Sequence, residues 1–525
     1  MDYPIESFTA AEAARLEPHF TNLDEPVFAL VNLPETVKGA LFARYSRYDG
    51  TLRRLFLDEF ADSLPESGGD WERDEGKRAS ELYDTIFLGY GDDSVAQLGG
   101  AHVACEWVSN VLTKILQRPR LASYLEQSTR YIRYDGEVPG LGYRYYRDAA
   151  LGPEYEQTMD GLFSTYSEAI PAVAAWAGEQ FPAADGVSEG AHARAIEAKA
   201  LDLLRGLLPA SSLSHMGIFA SGQTYEQLIL HLLAHPLPEA RDYGRMLLAT
   251  LKQVMPSFVS RVERADRGGE WIEYLEQRSA AGSEWAQRLE LSGRDDADDG
   301  PSVKLTHVDG TEEDLLCALL FEQSRASEAA IRTAVERLGG DERAAMLSDF
   351  VGARANRRHR PGRGFEAVRY RFEVVADYGA FRDLQRHRML TVQWQTLGPE
   401  LGAGVPDELE QAGVGDGYKR GLEASAAEYQ RLTDCGQGDA APYALCLGYR
   451  IRFILDCNAR EAMQLIELRS GREGHPSYRA VAHEMQRAIA QHHPAVAASM
   501  VHVDDQAEPR LERILSEMRS EARSG

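Results

Sequence analysis

RHRMLTVQWQT, residues 386–396, is an altered copy of RPRLASYLEQSTRY, residues 118–131. Each copy keeps polar groups that the other has lost. The first copy carries Arg130 where the second has Gly398, whereas the second carries the fuller cation cluster Arg386-His387-Arg388. We therefore predict a fused duplicate with a division of labour, in which neither half is complete alone.

The length and charge of the chain bound its organisation and its partners. Its 525 residues exceed what one hydrophobic core usually supports, so two or more domains are expected. A formal net charge of -25 disfavours non-specific binding to a nucleic-acid polymer or to an anionic membrane. Arginine clusters in such an acidic chain instead predict local binding of a small phosphate compound, because a guanidinium can make two parallel bonds to phosphate.

The cysteines, histidines and apolar runs predict neither export nor a metal site. The five cysteines are odd in number and show no CxxC spacing, which argues against a disulfide framework and a thiolate zinc site. No HExxH or comparable histidine spacing occurs, so no metal is predicted. With an acidic N-terminus and no apolar run of about 18 residues, we expect no membrane span and a reducing, cytoplasmic location.

A charged, turn-rich segment marks the predicted junction between the halves. Residues 294–301, RDDADDGP, lack a hydrophobic period. A long surface loop within one domain is the alternative, but loops of that length are uncommon in compact domains. The predicted boundaries are an N-terminal domain at 1–265, an acidic linker at 266–312, a C-terminal domain at 313–515 and a tail at 516–525.

The same order of elements is predicted before each arginine motif. Alternating apolar residues over 368–374 predict a half-buried strand, and a short helix over 378–385 follows it. A weaker alternation over 101–107 is followed by helical spacing over 108–116. Both arginine motifs are therefore expected just beyond the C-terminus of a helix.

A helix beginning after Asn458 carries further candidate residues. Asn458 with Glu461 has the pattern of a capping box. Asn458 and Arg469 share one helix face and lie about 16 Å apart along the axis, with Arg460 and Gln464 on a neighbouring stripe. Such a helix could follow an elongated cofactor. The alternative to a binding role is that Arg469 and the RHR triplet are solvated cations near a helix C-terminus.

The first half offers a complementary set of polar groups. Gln127-Ser128-Thr129-Arg130 combines amide, hydroxyl and guanidinium groups, which suit one phosphate and an adjoining sugar or base. Arg205 is the only charged residue in LLRGLLP, residues 203–209. A lone charge in an apolar run predicts a specific partner, either protein or ligand.

Together these segments resemble the flavin-dependent thymidylate synthases, the ThyX family. That family carries RHR, seven residues and serine within RHRxxSxxxQSxRY, followed by RxxLP and NxR…LR. Here RHR at 386–388 is followed at that spacing by Thr396, and RPR at 118–120 by Ser128. The resemblance implies an α+β fold of two tandem copies, each a central, mainly antiparallel sheet flanked by helices.

The resemblance also implies roles for individual residues. FAD would be held by Arg386, His387, Arg388, Asn458, Ala459, Arg460 and Gln464. Arg469 would sit against the uracil and favour loss of its N3 proton. The nucleotide would be bound by Glu126, Gln127, Ser128, Arg130 and Arg205. Because the flavin residues lie in the second half and the nucleotide residues in the first, the halves are expected to pack as a pseudo-dimer, and two chains to form a homodimer that mimics the family's tetramer.

The implied reaction is reductive methylation of dUMP to dTMP, with methylenetetrahydrofolate and NADPH as co-substrates acting through FAD. Two alternatives stay open: flavin- and folate-dependent modification of another pyrimidine nucleotide, or a non-catalytic nucleotide-binding duplicate.

Several positions depart from the family pattern. The GHxSxxEH segment reads GDDSVAQL at 91–98 and survives in the second half only as Glu366-Ala367. Asp383 stands where a glutamine is usual, three residues before RHR. In the first half, the positions corresponding to NxR are interpreted as Gly222 and Thr224, and the position corresponding to LR as Leu233 or a residue near it, so that copy is not expected to hold flavin alone.

Overall fold

The computed structural model describes residues 6–24, 28–45, 48, 50–63, 97–130, 132–291, 300–506 and 510–524. Its strands are β1 Gly100–Ser109, β2 Ala122–Glu126, β3 Leu213–Ser221, β4 Ser302–Asp309, β5 Arg369–Asp377, β6 Thr391–Trp394 and β7 Arg450–Asn458.

The α-helices of the described residues, in chain order, are α1 Ala10–Leu16, α2 Glu35–Tyr45, α3 Leu52–Leu55, α4 Asn110–Leu116, α5 Pro153–Gln180, α6 Glu189–Leu204, α7 Gly222–Leu233, α8 Pro238–Leu251, α9 Pro256–Val259, α10 Glu270–Arg288, α11 Glu312–Phe321, α12 Glu328–Glu336, α13 Gly340–Val351, α14 Tyr378–Leu384, α15 Asp407–Gln411, α16 Gly415–Asp434, α17 Ala459–Arg469, α18 Pro476–His492, α19 Pro494–Ala498 and α20 Ile514–Ser524.

The chain forms two compact units that do not follow chain order. The first unit draws on residues 1–106, 115–126 and 215–292, and the second on residues 107–114, 127–214 and 293–525. The predicted boundaries at 265, 312 and 515 stay a prediction, because these units are groups of contacts and not sequence repeats. The segment predicted as a linker contains the helix α10 and the strand β4, while its residues 292–299 lie outside the described part.

The first unit is built on a sheet with the strand order β1-β3-β2. β2 and β3 are antiparallel, with Ala122 opposite Ala220. Directly after β3, the Ser221 hydroxyl accepts the N–H of Thr224 and so caps α7. The buried side of α7 packs on α8 and α10, and it includes Leu228, Ile229 and Leu232.

The second unit contains an antiparallel sheet with the strand order β4-β5-β7-β6. β5 and β7 pair along their whole length, from Arg369 opposite Asn458 to Asp377 opposite Arg450. The alternating residues predicted as a strand are buried in β5, and α18 packs against β4 and β5. Helices flanking antiparallel sheets confirm the predicted α+β class.

Corresponding segments of the two halves pair with each other inside the second unit. β3 and β7 begin at Leu213 and Arg450 and end at Ser221 and Asn458, so corresponding residues lie 237 positions apart. Pro209 forms an antiparallel bridge with Cys446, which is its own counterpart by this spacing. A residue that pairs with its counterpart lies on a local two-fold axis.

The hydrogen bonds around this bridge repeat under the same two-fold relation. The N–H of Ala210 donates to the carbonyl of Leu445 at 2.7 Å, and the N–H of Leu447 donates to that of Leu208 at 2.8 Å. One step outward, the bonds from Ser211 to Tyr443 and from Gly448 to Gly206 form a second reciprocal pair at 3.1 and 2.8 Å. A Cβ on Gly206 would overlap the Tyr418 hydroxyl, so this close approach requires glycine. These segments therefore meet as the predicted pseudo-dimer requires.

A buried ion pair within the second half leads to a stability prediction. Arg354 binds Glu467 through two parallel bonds of 2.7 and 2.5 Å, and the side chains are 2% and 0% exposed. Glu467→Ala leaves a buried guanidinium without its counter-ion, so we expect the free energy of unfolding to fall by about 3–5 kcal/mol in urea titrations. Glu484→Ala removes an exposed pair with Arg487 and should cost less than ~1 kcal/mol. Equal losses would contradict the burial of the Arg354–Glu467 pair.

Candidate composite active site

The RHR triplet follows a capped helix, as predicted. The Asp377 carboxylate accepts the N–H of Ala380 at 2.8 Å and begins α14, which ends at Leu384. Arg386, His387 and Arg388 therefore lie in the turn beyond its C-terminus. Arg118 holds the same position after α4 in the first copy.

His387 joins this turn to α17. Its Nε2 accepts the Nε–H of Arg469 at 3.1 Å, and its Nδ1 lies 2.9 Å from Glu461 Oε1. Because a guanidinium can only donate, the ring proton must sit on Nδ1 and be donated to Glu461. Asn458 accepts the N–H of Glu461, but the Glu461 carboxylate bonds His387, so only half of the predicted capping box forms.

Burial keeps His387 neutral. Loss of solvent lowers the pKa of His387, and the Arg469 guanidinium lowers it further, against the opposing effect of Glu461. A neutral imidazole can accept from Arg469 and donate to Glu461 at the same time. The ring therefore fixes the orientation of the Arg469 guanidinium.

Asp383 is the acidic centre of an arginine cluster drawn from both halves. Its Oδ2 lies 3.4 Å from Arg205 Nη1, and its Oδ1 lies 3.5 Å from Arg386 Nη1. Burial opposes ionisation of Asp383, but the surrounding guanidiniums outweigh burial and hold its pKa well below the usual range. The guanidiniums that act on it are those of Arg386, Arg205, Arg469 and Arg130.

Arg130 and Arg469 approach the same aromatic ring. Arg130 binds the buried Asp202 with two bonds of 2.7 and 2.6 Å and donates from Nη1 to the Tyr478 hydroxyl at 2.9 Å. The Arg130 guanidinium carbon lies 5.8 Å from the centre of the Tyr478 ring, and that of Arg469 lies 5.6 Å from it. Tyr478 thus bridges a predicted nucleotide residue and the predicted catalytic residue.

Arg205 has an unsatisfied buried donor. The residue is 3% exposed, and its Nη2 makes no hydrogen bond. The carboxylate nearest to that nitrogen is Asp377, 3.8 Å away. An orphaned buried guanidinium nitrogen is costly unless it is bound by a ligand, so it fits a site for an anion.

The other predicted nucleotide residues are placed as follows. Gln127 accepts a bond of 2.9 Å from Arg144. The Ser128 hydroxyl accepts the N–H of Arg130 at 3.2 Å, so Ser128 contacts a residue of the cluster. Glu126 ends β2 in the first unit, where it accepts from Gln117 at 2.9 Å. The structure therefore brings Arg130 and Arg205 to the second-half motifs but does not place Glu126 with them.

The remaining predicted flavin residues lie around the start of α17. Arg388 and Gln464 are half-buried, and the buried Ala459 donates its N–H to Val368. Arg460 is also half-buried; it donates to the carbonyl of Pro361 at 2.9 Å and lies 3.6 Å from Glu366. Several guanidiniums with remaining exposed surface near one helix N-terminus form a donor set that fits an elongated phosphate-bearing cofactor.

The helix caps correct the alignment of the two copies. Ser221 caps α7 as Asn458 caps α17, so Gln223 corresponds to Arg460 and Leu232 corresponds to Arg469. The predicted correspondences at Gly222 and Thr224 were therefore wrong by one residue, whereas Leu232 is next to Leu233 and lies within the predicted position. The QLI triplets at 227–229 and 464–466 carry the correct register, and neither assignment gives the first copy the two arginines.

Other site residues were missed by the sequence analysis or cannot be placed. Asp202 lies just outside the apolar run that drew attention to Arg205, and Glu461 was interpreted only as a cap. Tyr478 was given no role by the sequence analysis. Residues 91–96 of the altered histidine-containing segment lie outside the described residues.

The described residues contain neither a candidate metal cluster nor a candidate membrane span. No cluster of three or more histidine, cysteine and acidic side chains suited to a metal ion occurs there. No helix within the same residues is long and apolar enough to cross a membrane.

The fold and the cluster define a duplicated α+β protein whose arginine-rich site draws on both halves. The family described as thymidylate synthase complementing protein matches residues 53–257 and again residues 306–495. The chain belongs to this family and contains two copies of its domain, which confirms the resemblance.

Relatives match along almost the whole chain. UPF0159 proteins of Chlamydia muridarum (strain MoPn / Nigg) and Chlamydia pneumoniae are each 36% identical over 98% of this chain, covering 99% and 98% of their own lengths. A UPF0159 protein of Thermoplasma acidophilum is 30% identical over 93% of this chain and 99% of its own. Among solved structures, the UMP/dUMP methylase PolB from Streptomyces cacaoi bound with 5-Br dUMP is 21% identical over 38% of this chain and 95% of its own, with a TM-score of 0.32.

The Asp383 cluster predicts a link between charge and phosphate binding. Asp383→Asn removes the central counter-charge, so we expect the free energy of unfolding to fall by roughly 3 kcal/mol. Inorganic phosphate should then stabilise the variant more than the wild type, because it can replace the lost charge. Urea unfolding with and without phosphate measures both effects. Asp456→Asn, which affects only half-exposed pairs with Arg369 and Arg371, is the control. Equal stabilisation of Asp383→Asn and wild type would contradict the account.

A buried histidine beside the cluster predicts a pH dependence. Burial, reinforced by Arg205, lowers the pKa of His475 well below its ordinary value. The unfolded chain binds a proton near pH ~6.5 that the native state excludes, so stability falls as pH decreases below that value, by at most about 1.4 kcal/mol per pH unit. His475→Asn keeps an N-cap for α18 and should lose less stability between pH 7 and 5. The exposed His307→Asn should behave as wild type. Identical profiles for all three proteins would exclude this effect of His475.

Proposed function

We propose that this protein methylates a pyrimidine nucleotide, dUMP, at C5 to give dTMP, with FAD as its resident cofactor and methylenetetrahydrofolate and NADPH as co-substrates. Membership of the thymidylate synthase complementing family supports nucleotide methylation. The observation that carries the finer proposal is the His387–Arg469 contact, which joins the two predicted flavin motifs at the residue predicted to act on the uracil.

The cluster supplies complementary surfaces for the nucleotide. Arg130 and Arg205 are arginines of the first half held against second-half residues, and the orphaned Nη2 of Arg205 suits a phosphate oxygen. Arg130 and Arg469 both approach the ring of Tyr478, with guanidinium carbons 5.8 and 5.6 Å from its centre. We propose that the phosphate binds near Arg130 and Arg205 and the base near Arg469.

Arg469 would act on the pyrimidine by electrostatics. Its guanidinium, oriented by His387, would stabilise the negative charge that develops on the ring when N3 loses its proton, and so make C5 nucleophilic. Burial lowers the pKa of Arg469, which marks a site where charge is poorly solvated and its interactions are strong. No protein thiol is needed in this scheme.

The flavin residues fit their proposed role. Arg386, Arg388 and Arg460 would bind the phosphates of FAD, and Asn458, Ala459, Gln464 and His387 would line its path along α17. When bound, FAD supplies the hydride, taken from NADPH, that reduces the transferred methylene to a methyl group. The chain's own contribution is to position the reactants and to stabilise charge.

Release of tritium from [5-³H]dUMP tests the reaction directly. We expect release only with methylenetetrahydrofolate, NADPH and FAD all present, together with dTMP formation. A protein that binds dUMP but never exchanges C5 would favour the non-catalytic alternative.

Asp383 favours a second candidate substrate. A carboxylate stands beside the proposed phosphate residues where the family usually has a glutamine, and it would repel a phosphate dianion. Modification of a pyrimidine substrate other than dUMP, with less negative charge where the phosphate would bind, is therefore the second candidate. A parallel tritium-release screen of UMP, dUMP, dCMP and deoxyuridine would distinguish the two.

Arg469→Ala tests the assignment of the catalytic residue. We expect FAD absorbance to be retained and turnover to fall by at least ~10²-fold, because the charge on the ring is no longer stabilised. Arg487→Ala, on the exposed face of α18, is the matched control and should retain activity. Unchanged turnover in Arg469→Ala, with unaltered melting temperature, would refute the role.

A further inference from the structure

The first copy contains a cavity at the place that corresponds to the RHR turn of the second. The cavity has a volume of about 450 Å³ and lies wholly within the first unit, between the end of α4, the helix α7 and the helix α10. Arg118, Pro119 and Gln227 line it, and they correspond to Arg386, His387 and Gln464. The duplication has therefore left a second, altered version of this site.

Two substitutions remove the groups that form the His387–Arg469 contact in the second copy. Pro119 replaces His387, and Leu232 replaces Arg469, so the imidazole–guanidinium contact cannot form. The site has kept its leading arginine and has lost the catalytic pair. A role in binding is therefore compatible with these residues, whereas the proposed chemistry of the second copy is not.

The helix α10 adds a new cation to the cavity. This helix follows the first copy, and its Leu275 is buried while Arg278 and Ser279 line the cavity. Arg118 and Arg278 thus reach the cavity from different elements. The helix α10 therefore adds one side of the cavity to the first copy and contributes Arg278 to its lining.

The charged side chains that line this cavity are cationic. Burial and then Arg278 lower the pKa of Arg118, and burial, Arg118 and Arg278 together lower that of His231. None of the residues that line the cavity in the described part of the chain is acidic. Two arginines that line one cavity from different elements supply converging donors for a bound anion.

The rest of the lining is apolar. Ile115, Leu228 and Leu275 supply a hydrophobic wall beside the two arginines. A cavity of this volume lies within the usual range of small-molecule sites, about 300–1,000 Å³. An inorganic ion would leave the apolar wall uncovered, whereas a nucleotide would cover the wall and the charges together.

We propose that this cavity binds an organic phosphate of nucleotide size, with its phosphate between Arg118 and Arg278 and its base against Ile115, Leu228 and Leu275. The site is separate from the Asp383 cluster. It depends on the duplication and on the lining of the cavity, and not on the proposed methylation.

Calorimetric titration of the full-length protein with ADP tests the site, and the binding that responds to substitutions in the cavity is the binding assigned to it. We expect ADP to bind and Arg278→Gln to weaken it about tenfold, because one charge-assisted contact is lost. Arg118→Gln should weaken it similarly. Arg288→Gln is the matched control, since this arginine lies on the same helix against Trp285, away from the cavity lining, and should leave the affinity unchanged.

Two further ligands define the chemical class. Adenosine, which lacks phosphate, should bind at least tenfold more weakly than ADP, and so should inorganic pyrophosphate, which lacks a base. Pyrophosphate that binds as tightly as ADP would overturn the assignment to a nucleotide. Absence of ADP binding, or an unchanged affinity in Arg278→Gln, would overturn the site itself. The exposed position of Arg278 allows that variant to fold even if Arg118→Gln does not.

Discussion

The carboxylate of Asp383 is the constraint on which the composite site depends. Guanidiniums from both halves surround it, and buried like charges at this density would repel one another strongly without an anion at their centre. Asp383 therefore holds Arg205 of the first half and Arg386 of the second around one point. A substrate phosphate would be repelled by the negative charge of the same carboxylate and excluded from its volume. Asp383 would therefore also restrict which substrates the proposed site accepts.

The local two-fold axis explains how distant parts of the sequence reach this point. The reciprocal bonds around Pro209 and Cys446 place Arg205, a few residues away, against the second half. The chemistry around the axis is not symmetric. In the second half, Pro442 and Gly398 stand where the first half has Arg205 and Arg130. In the first half, Pro119 and Leu232 stand where the second half has His387 and Arg469. Fusion of the copies allowed each half to keep one part of a single site.

Sequence periodicity predicted the strand β5, the short helix α14 and the position of the RHR turn, because local alternation and capping determine these elements. Pairings between distant residues could not be predicted. The Glu461 carboxylate bonds His387 instead of the backbone of the cap residue Asn458. Asp202 likewise binds Arg130. Both pairs form only because tertiary packing brings the partners together. The helix α10 was missed within the predicted linker, and Leu275 is its only buried residue.

The central claim is that arginines from both halves hold one pyrimidine nucleotide beside the flavin motifs. A crystal structure of the protein with FAD and 5-bromo-dUMP tests it most directly, because anomalous scattering from bromine locates C5 of the base. The account predicts a bromine peak beside Arg469 and Tyr478, with the phosphate within hydrogen-bonding distance of Arg130 or Arg205. A bromine peak remote from Arg469, or a phosphate held only by residues of the second half, would contradict it.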